Sequence, residues 1–122
     1  MTKNMIVDGT ITLQNGETIQ PGQGGRYYSG SDVYPITIVG WSKSGKTIFY
    51  RSAKAIPTKD CDYYGEQSYL YVDLPEAPIK AATWRSSKRY RNYKNGGAYV
   101  PKGSSFGSIG TNGYLKSLDP SF

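Results

Sequence analysis

Residues 83–99, TWRSSKRYRNYKNGGAY, interleave five cations with Trp84, Tyr90, Tyr93 and Tyr99. Arginine offers a planar donor fork that matches phosphate, and aromatic rings offer faces on which bases stack. The combination suits an anion that carries rings: a nucleotide, either free or in a strand. Arg85, Arg89, Tyr90, Arg91 and Tyr93 are therefore candidate contacts. Trp84 lies inside an expected strand and reads first as core, although its ring keeps it among the candidates. A second patch, GGRYYSGSD, sets Arg26, Tyr27 and Tyr28 in a flexible glycine setting whose backbone amides can approach a phosphate. Arg26 and Tyr28 join the candidate set.

A third stretch, Gly40 to Thr47, reads GWSKSGKT and satisfies G-x-x-x-x-G-K-[ST], the phosphate-cradling loop of nucleotide hydrolases. Such a loop works only between a strand and a helix, whose N-terminal amides and dipole meet the phosphates. Here it is followed by IFYRSAKAIP, in which Ile48, Phe49 and Tyr50 are β-formers and Pro57 arrives too soon for a helix of normal length. Ser42 to Gly45 reads instead as a hairpin turn with one left-handed glycine. Lys43 and Lys46 remain side-chain charges on a turn.

Charge is unevenly placed. Residues 1–76 hold seven Lys/Arg against eight Asp/Glu, whereas residues 77–118 hold Lys80, Arg85, Lys88, Arg89, Arg91, Lys94, Lys102 and Lys116 and no acid, within a net charge of +6. Unneutralised cations attract phosphates, or else form a solvated face that aids solubility. The chain has no histidine and one cysteine, Cys61. These counts remove Ser-His and Cys-His machinery, imidazole metal ligands, an intramolecular disulfide and any cysteine-based zinc site. Asp60, Asp62 and Glu66 lack the full calcium-loop pattern and read as a solvated loop. No metal, cofactor or catalytic residue is expected. Without a long apolar run or an apolar leader, a soluble cytoplasmic protein is expected, with no membrane partner.

The elements that must position these groups are strands. Glycine and proline recur every few residues, and the apolar residues alternate or come in short runs rich in Ile, Val, Tyr and Thr. Asn15-Gly16 marks a tight hairpin, PGQGG a break, VYPITIV and KTIFYRSAKAI a strand pair, QSYLYVD and AATWR further strands, and Asn95-Gly96-Gly97 another hairpin. The expectation is one all-β domain over 1–122, a single small antiparallel barrel or sandwich of six to eight short strands. Its core would draw on Ile11, Leu13, Ile36, Ile38, Val39, Ile48, Phe49, Leu70, Val72, Trp84, Val100, Phe106 and Ile109. So small a core, beside 12 tyrosines, makes a homo-oligomer the natural way to bury surplus aromatic surface.

The block GSDVYPITIVGWSKSGKTIFYRSAKAIPT, with WRSSKRYRNYKNGGAYVPKG and the ending YLKSLDPSF, resembles a group of small phage and prophage β-proteins. Some compact phage proteins of this kind are oligomeric sponges, similar in role to anti-Thoeris proteins, which sequester cyclic nucleotide or cyclic ADP-ribose signals of host immunity. The resemblance implies a non-enzymatic anti-defence binder of a small anionic nucleotide in the host cytoplasm, with Arg26, Tyr28, Trp84, Arg85, Arg89 and Arg91 as pocket candidates. Two other readings stand beside it: a small β-barrel that binds single-stranded nucleic acid, and a phage structural or assembly protein whose tyrosines are interface residues.

Overall fold

Alternation of apolar and polar residues, interrupted by glycine turns, produces nine strands and no α-helix among the described residues. The computed structural model describes residues 5–29, 32–58, 69–86, 94–103 and 107–117. The strands are β1 (Ile11–Thr12), β2 (Thr18–Ile19), β3 (Gly24–Ser29), β4 (Asp32–Trp41), β5 (Thr47–Pro57), β6 (Tyr69–Asp73), β7 (Lys80–Ser86), β8 (Gly97–Pro101) and β9 (Ser108–Gly110). Six of them, in the order β4-β3-β9-β8-β7-β5, close on themselves through antiparallel pairing of β4 with β5. The result is a closed six-stranded antiparallel barrel, and β6 extends it as an additional strand on β5. Closure removes the exposed edges that a sheet of this size would otherwise present.

Cross-strand partners share a face, so the register identifies the interior. Ile38 pairs with Tyr50, Ile48 with Ala82, and Tyr99 with both Trp84 and Ile109, and all but the half-buried Trp84 are buried. A bulge between Ile38 and Gly40 resets the alternation so that Trp41 is buried as well. Gly40 is required there because any Cβ would meet the Ile6 carbonyl, which accepts from Trp41 N–H at 3.1 Å.

One end of the barrel is plugged. The β1–β2 hairpin turns at Asn15-Gly16, with Gly16 at φ 86°, and delivers Leu13 and Ile19 to the core. Tyr99 fastens that hairpin to its neighbours: its hydroxyl donates to Gly45 O at 2.6 Å and accepts from Gln14 N–H at 3.1 Å. Gly45 belongs to the β4–β5 turn, so GWSKSGKT is a hairpin turn whose chain continues directly as β5. Ser42 N–H donates to Thr47 O at 2.9 Å, Gly45 N–H to Ser42 O at 2.9 Å, and Gly45 takes φ 75°. Without a following helix there is no amide ring or dipole for a triphosphate.

Several sequence expectations need correction. Gly24 and Gly25 do not form a flexible loop with Arg26; they lie in β3, where Tyr114 packs on Gly24 and the Gly110 carbonyl approaches Gly25 too closely for a Cβ. Leu70 and Val72 are not core: they are 63% and 46% exposed, because β6 lies outside the closed barrel and turns Tyr69 and Tyr71 toward Lys116 and Tyr114 instead. Val39 and Phe49 are half-buried, and Phe106 lies outside the described residues. Tyr50, Tyr99, Trp41 and Ile19 complete the core. No helix among the described residues is long and apolar enough to cross a membrane.

The plug gives the fold its most sensitive polar contact. Tyr99→Phe preserves packing but leaves the Gly45 carbonyl and the Gln14 amide without that partner. It is expected to lower unfolding free energy by about 1–3 kcal/mol, measured by chemical denaturation. An unchanged midpoint would show that the hairpin is held by apolar contacts alone.

Candidate functional site

The other end of the barrel is open. Along β7 the residues that share the interior face with Trp84 are Ala82 and Lys80, so the strand begins with an ammonium group at the open mouth and ends in the plug. β3 and β4 behave alike: Tyr27 pairs with Tyr34, and Ile36 continues inward. From β5, Tyr50 and Ser52 lie on the same face. The chain leaves β8 at Pro101 into Lys102, whose N–H donates to Ala81 O at 3.0 Å.

Lys80, Tyr27, Tyr34, Ile36, Tyr50, Ser52, Pro101 and Lys102 line a cavity of about 750 Å³, together with Lys116. That volume is within the range of small-molecule and cofactor sites. Its chemistry is one-sided: Lys80, Lys102 and Lys116 supply charge, Tyr27, Tyr34 and Tyr50 supply rings and hydroxyls, and among the described residues no carboxylate lines it. Pro35, Ile36, Pro101 and three alanines supply the apolar remainder. Burial, with the nearby Tyr27 phenol, pushes the Tyr50 hydroxyl up to about 12. Tyr50 therefore remains a neutral O–H donor throughout the physiological range. The site offers hydrogen-bond donors, ammonium groups and stacking faces, which is what a phosphate joined to a ring requires.

Lys116 reaches the cavity on a strap, residues 111–117, laid across the outer face of β3 and β4. Arg26 holds the strap: its Nε donates to Gly113 O at 3.1 Å and its Nη2 to Asn112 O at 3.4 Å. Tyr114 stacks on Tyr71 with ring centres 5.5 Å apart and shares a 2.8 Å hydrogen bond with Thr37 Oγ1. Beside this contact Arg51 grips Asp73 through two hydrogen bonds, at 2.9 and 2.6 Å. That pairing holds the Asp73 carboxyl below, and the Arg51 guanidinium above, their ordinary values. The pair is partly exposed, so it contributes at most about 1 kcal/mol but fixes the angle of β6.

The sequence-derived candidates are dispersed by this architecture. Arg26 and Tyr28 are on the outer face of β3, with Arg26 committed to the strap carbonyls. Trp84 packs edge-on against Tyr99 in the plug, at a centroid distance of 5.1 Å, and covers Gly97. Arg85 is exposed on the opposite face of β7. Arg89, Tyr90, Arg91 and Tyr93 lie outside the described residues, as do Asp60, Asp62 and Glu66. The described residues that flank the basic block, Ser86 and Asn95, are at the plugged end, where Asn95 Nδ2 donates to Gln14 O at 2.9 Å. The sequence placed Lys80, Lys102 and Lys116 only within the basic block and Tyr27 only beside Tyr28, and marked neither Tyr34 nor Tyr50 as a contact. A usable signal was present for Lys80, which precedes Ala82 and Trp84 at period two along an apolar face. Among the described residues no three His, Cys, Asp or Glu side chains converge as a metal site. Comparison with family models, with curated proteins and with solved structures returns no match to this chain.

The raised Tyr50 pKa has a stability consequence. Its folded value is above the unfolded value near 10, so the folded state holds the proton more tightly. The associated stability is complete below about pH 10 and is lost as pH rises toward about 12. Denaturation midpoints measured from pH 8 to 12 are expected to fall across the upper part of that range, and less steeply in Tyr50→Phe. Equal slopes in the two proteins would show that Tyr50 ionises freely.

Proposed function

We propose that this protein is a non-enzymatic binder that captures a phosphate-bearing nucleotide of the cyclic nucleotide or cyclic ADP-ribose type in the open end of its barrel. In this reading it is a phage protein that removes such a signal from host defence. The observation that carries the reading is a cavity onto which three lysines and three tyrosines converge, with no acid in its lining among the described residues. The lysines meet phosphate, the phenols donate to phosphate or ribose oxygens, and the rings stack on a base. The plug at the far end favours a compact ligand over a strand threaded through the barrel.

Capture alone suffices for such a role. A protein in excess of its ligand, with a sub-micromolar dissociation constant, corresponding to about −8 kcal/mol or better, empties the free pool. Release of the intact ligand on heating is then the signature of a sponge, and new products are the signature of an enzyme.

The test is incubation with a panel of cyclic dinucleotides and cyclic ADP-ribose isomers, followed by heat denaturation and recovery of ligand from the supernatant. Depletion with full recovery is expected, and no depletion of any member overturns the reading. Lys80→Ala/Lys102→Ala is expected to weaken binding at least about tenfold, by removing charge-assisted contacts, with little change in Tm. Arg89→Ala/Arg91→Ala provides the contrast. Loss of binding in that variant, with retention in the lysine variant, would move the site to residues 83–94. Oligonucleotide binding with a steep negative salt dependence would favour a polymer instead.

A further inference from the structure

Lys116 is held differently from the other two lysines of the cavity. Lys80 opens β7, where it pairs with Tyr50, and Lys102 is anchored to the barrel wall by its N–H, which donates to Ala81 O at 3.0 Å. Lys116 rides on the 111–117 strap, whose ladder contact among the described residues is the bridge between Ser117 and Val33. A cation on a loose segment adds little to affinity, because the segment must be ordered at the moment the ligand arrives. What fastens the strap therefore decides what Lys116 is worth.

The fastening groups come from β3 and β6. From β3, Arg26 donates through Nε to Gly113 O at 3.1 Å and through Nη2 to Asn112 O at 3.4 Å, and Gly24 O accepts from Gly113 N–H at 3.1 Å. Gly113 turns the chain there at φ 110°, a conformation that favours glycine. From β6, Tyr71 acts twice. Its ring stacks on Tyr114 with centres 5.5 Å apart, and its hydroxyl accepts from Lys116 N–H at 2.9 Å. Past that bond the Lys116 ammonium lies 5.4 Å from the centre of the Tyr69 ring, a distance at which a cation is attracted to an aromatic face. Neither Arg26 nor Tyr71 lines the cavity.

We infer that Arg26 and Tyr71 are positioning residues: they seat Lys116 at the mouth, and so set affinity without touching what is bound. The inference rests on the reading of the cavity as a nucleotide site and deepens it. It gives β6 a task, since the strand that lies outside the closed barrel is the one that presents Tyr69 and Tyr71 to the strap. It also reassigns Arg26, whose residue type suits a phosphate but whose guanidinium is engaged with the carbonyls of Asn112 and Gly113.

Two substitutions remove the fastening groups and keep the packing. Tyr71→Phe deletes the hydroxyl and retains the ring; Arg26→Met deletes the donors and retains an apolar stem. Amide hydrogen exchange reads the strap without any ligand. Exchange at Lys116 is expected to quicken in Tyr71→Phe, and at Gly113, Lys116 and Ser117 in Arg26→Met, while Gln14 and Ile38, bonded elsewhere in the barrel, keep their rates. Calorimetry then reads binding, with pyrophosphate, cyclic di-AMP, cyclic di-GMP and cyclic ADP-ribose as probes. For each probe that binds, either substitution is expected to weaken affinity about three- to tenfold, the cost of ordering the lysine on binding. In a Lys116→Ala background the same substitutions are expected to change nothing further, because the residue they position is gone. The same loss in that background, or unchanged affinity on a loosened strap, overturns the positioning role while the cavity stands as the site. Strap exchange that does not change, or that quickens together with the whole barrel, overturns it as well. If no probe binds, the nucleotide reading falls and this inference falls with it.

Discussion

Strand β5 is longer than the barrel it closes, and most of what is distinctive in the molecule follows from that. Residues 48–52 seal the barrel against β4, but residues 53–57 run on past it and pair with β6. Where β5 leaves, β4 still needs a partner for its backbone groups, because unpaired buried amides and carbonyls are costly. The 111–117 strap supplies it through the Val33–Ser117 bridge. The divergence of β4 and β5 therefore opens the mouth, recruits β6 and the strap, and delivers Lys116 to the rim. The aromatic contact of Tyr71 with Tyr114 and the Arg51–Asp73 ion pair fix the additional strand to the barrel wall.

The two ends of the barrel then divide the labour. At one, Tyr99 ties together the β1–β2 hairpin, the β4–β5 turn and the barrel wall, and the core is shut from water. At the other, the same interior faces run out into lysines and phenols. A ligand entering there meets charge at the rim, rings on the walls and an apolar floor, an order that fits an anion with an attached ring system. The Tyr50 phenol, kept neutral by burial, adds a donor that does not compete with the lysines for charge.

Much of the fold was legible in the sequence, because strands and tight turns are local. Period-two alternation and Asn15-Gly16 gave strands and a hairpin, and the residues after Thr47 were enough to tell a turn from a phosphate loop. The site was less legible, because which lysines meet is set by closure between strands remote in the chain. The basic character of residues 77–118 was plain, yet Lys80 and Lys102 converge only when β7 and β8 curl against β5. A shift of one residue decides Tyr27 against Tyr28: adjacent strand residues face opposite ways, and Tyr27 faces the cavity. Leu70 and Val72 mark the same boundary. Alternation shows that β6 has two faces, but only its position outside the barrel decides which of them is covered.

The central claim is that the open end of the barrel is where a ligand binds. The most direct measurement is two-dimensional NMR of the isotopically labelled protein during titration with a cyclic dinucleotide. The account predicts shifts concentrated on Tyr27, Tyr34, Tyr50, Lys80 and Lys102, with Lys43, Lys46 and the Trp84 indole unmoved. Shifts clustered on Trp84, Arg85 and the residues that follow, with the cavity silent, would contradict it.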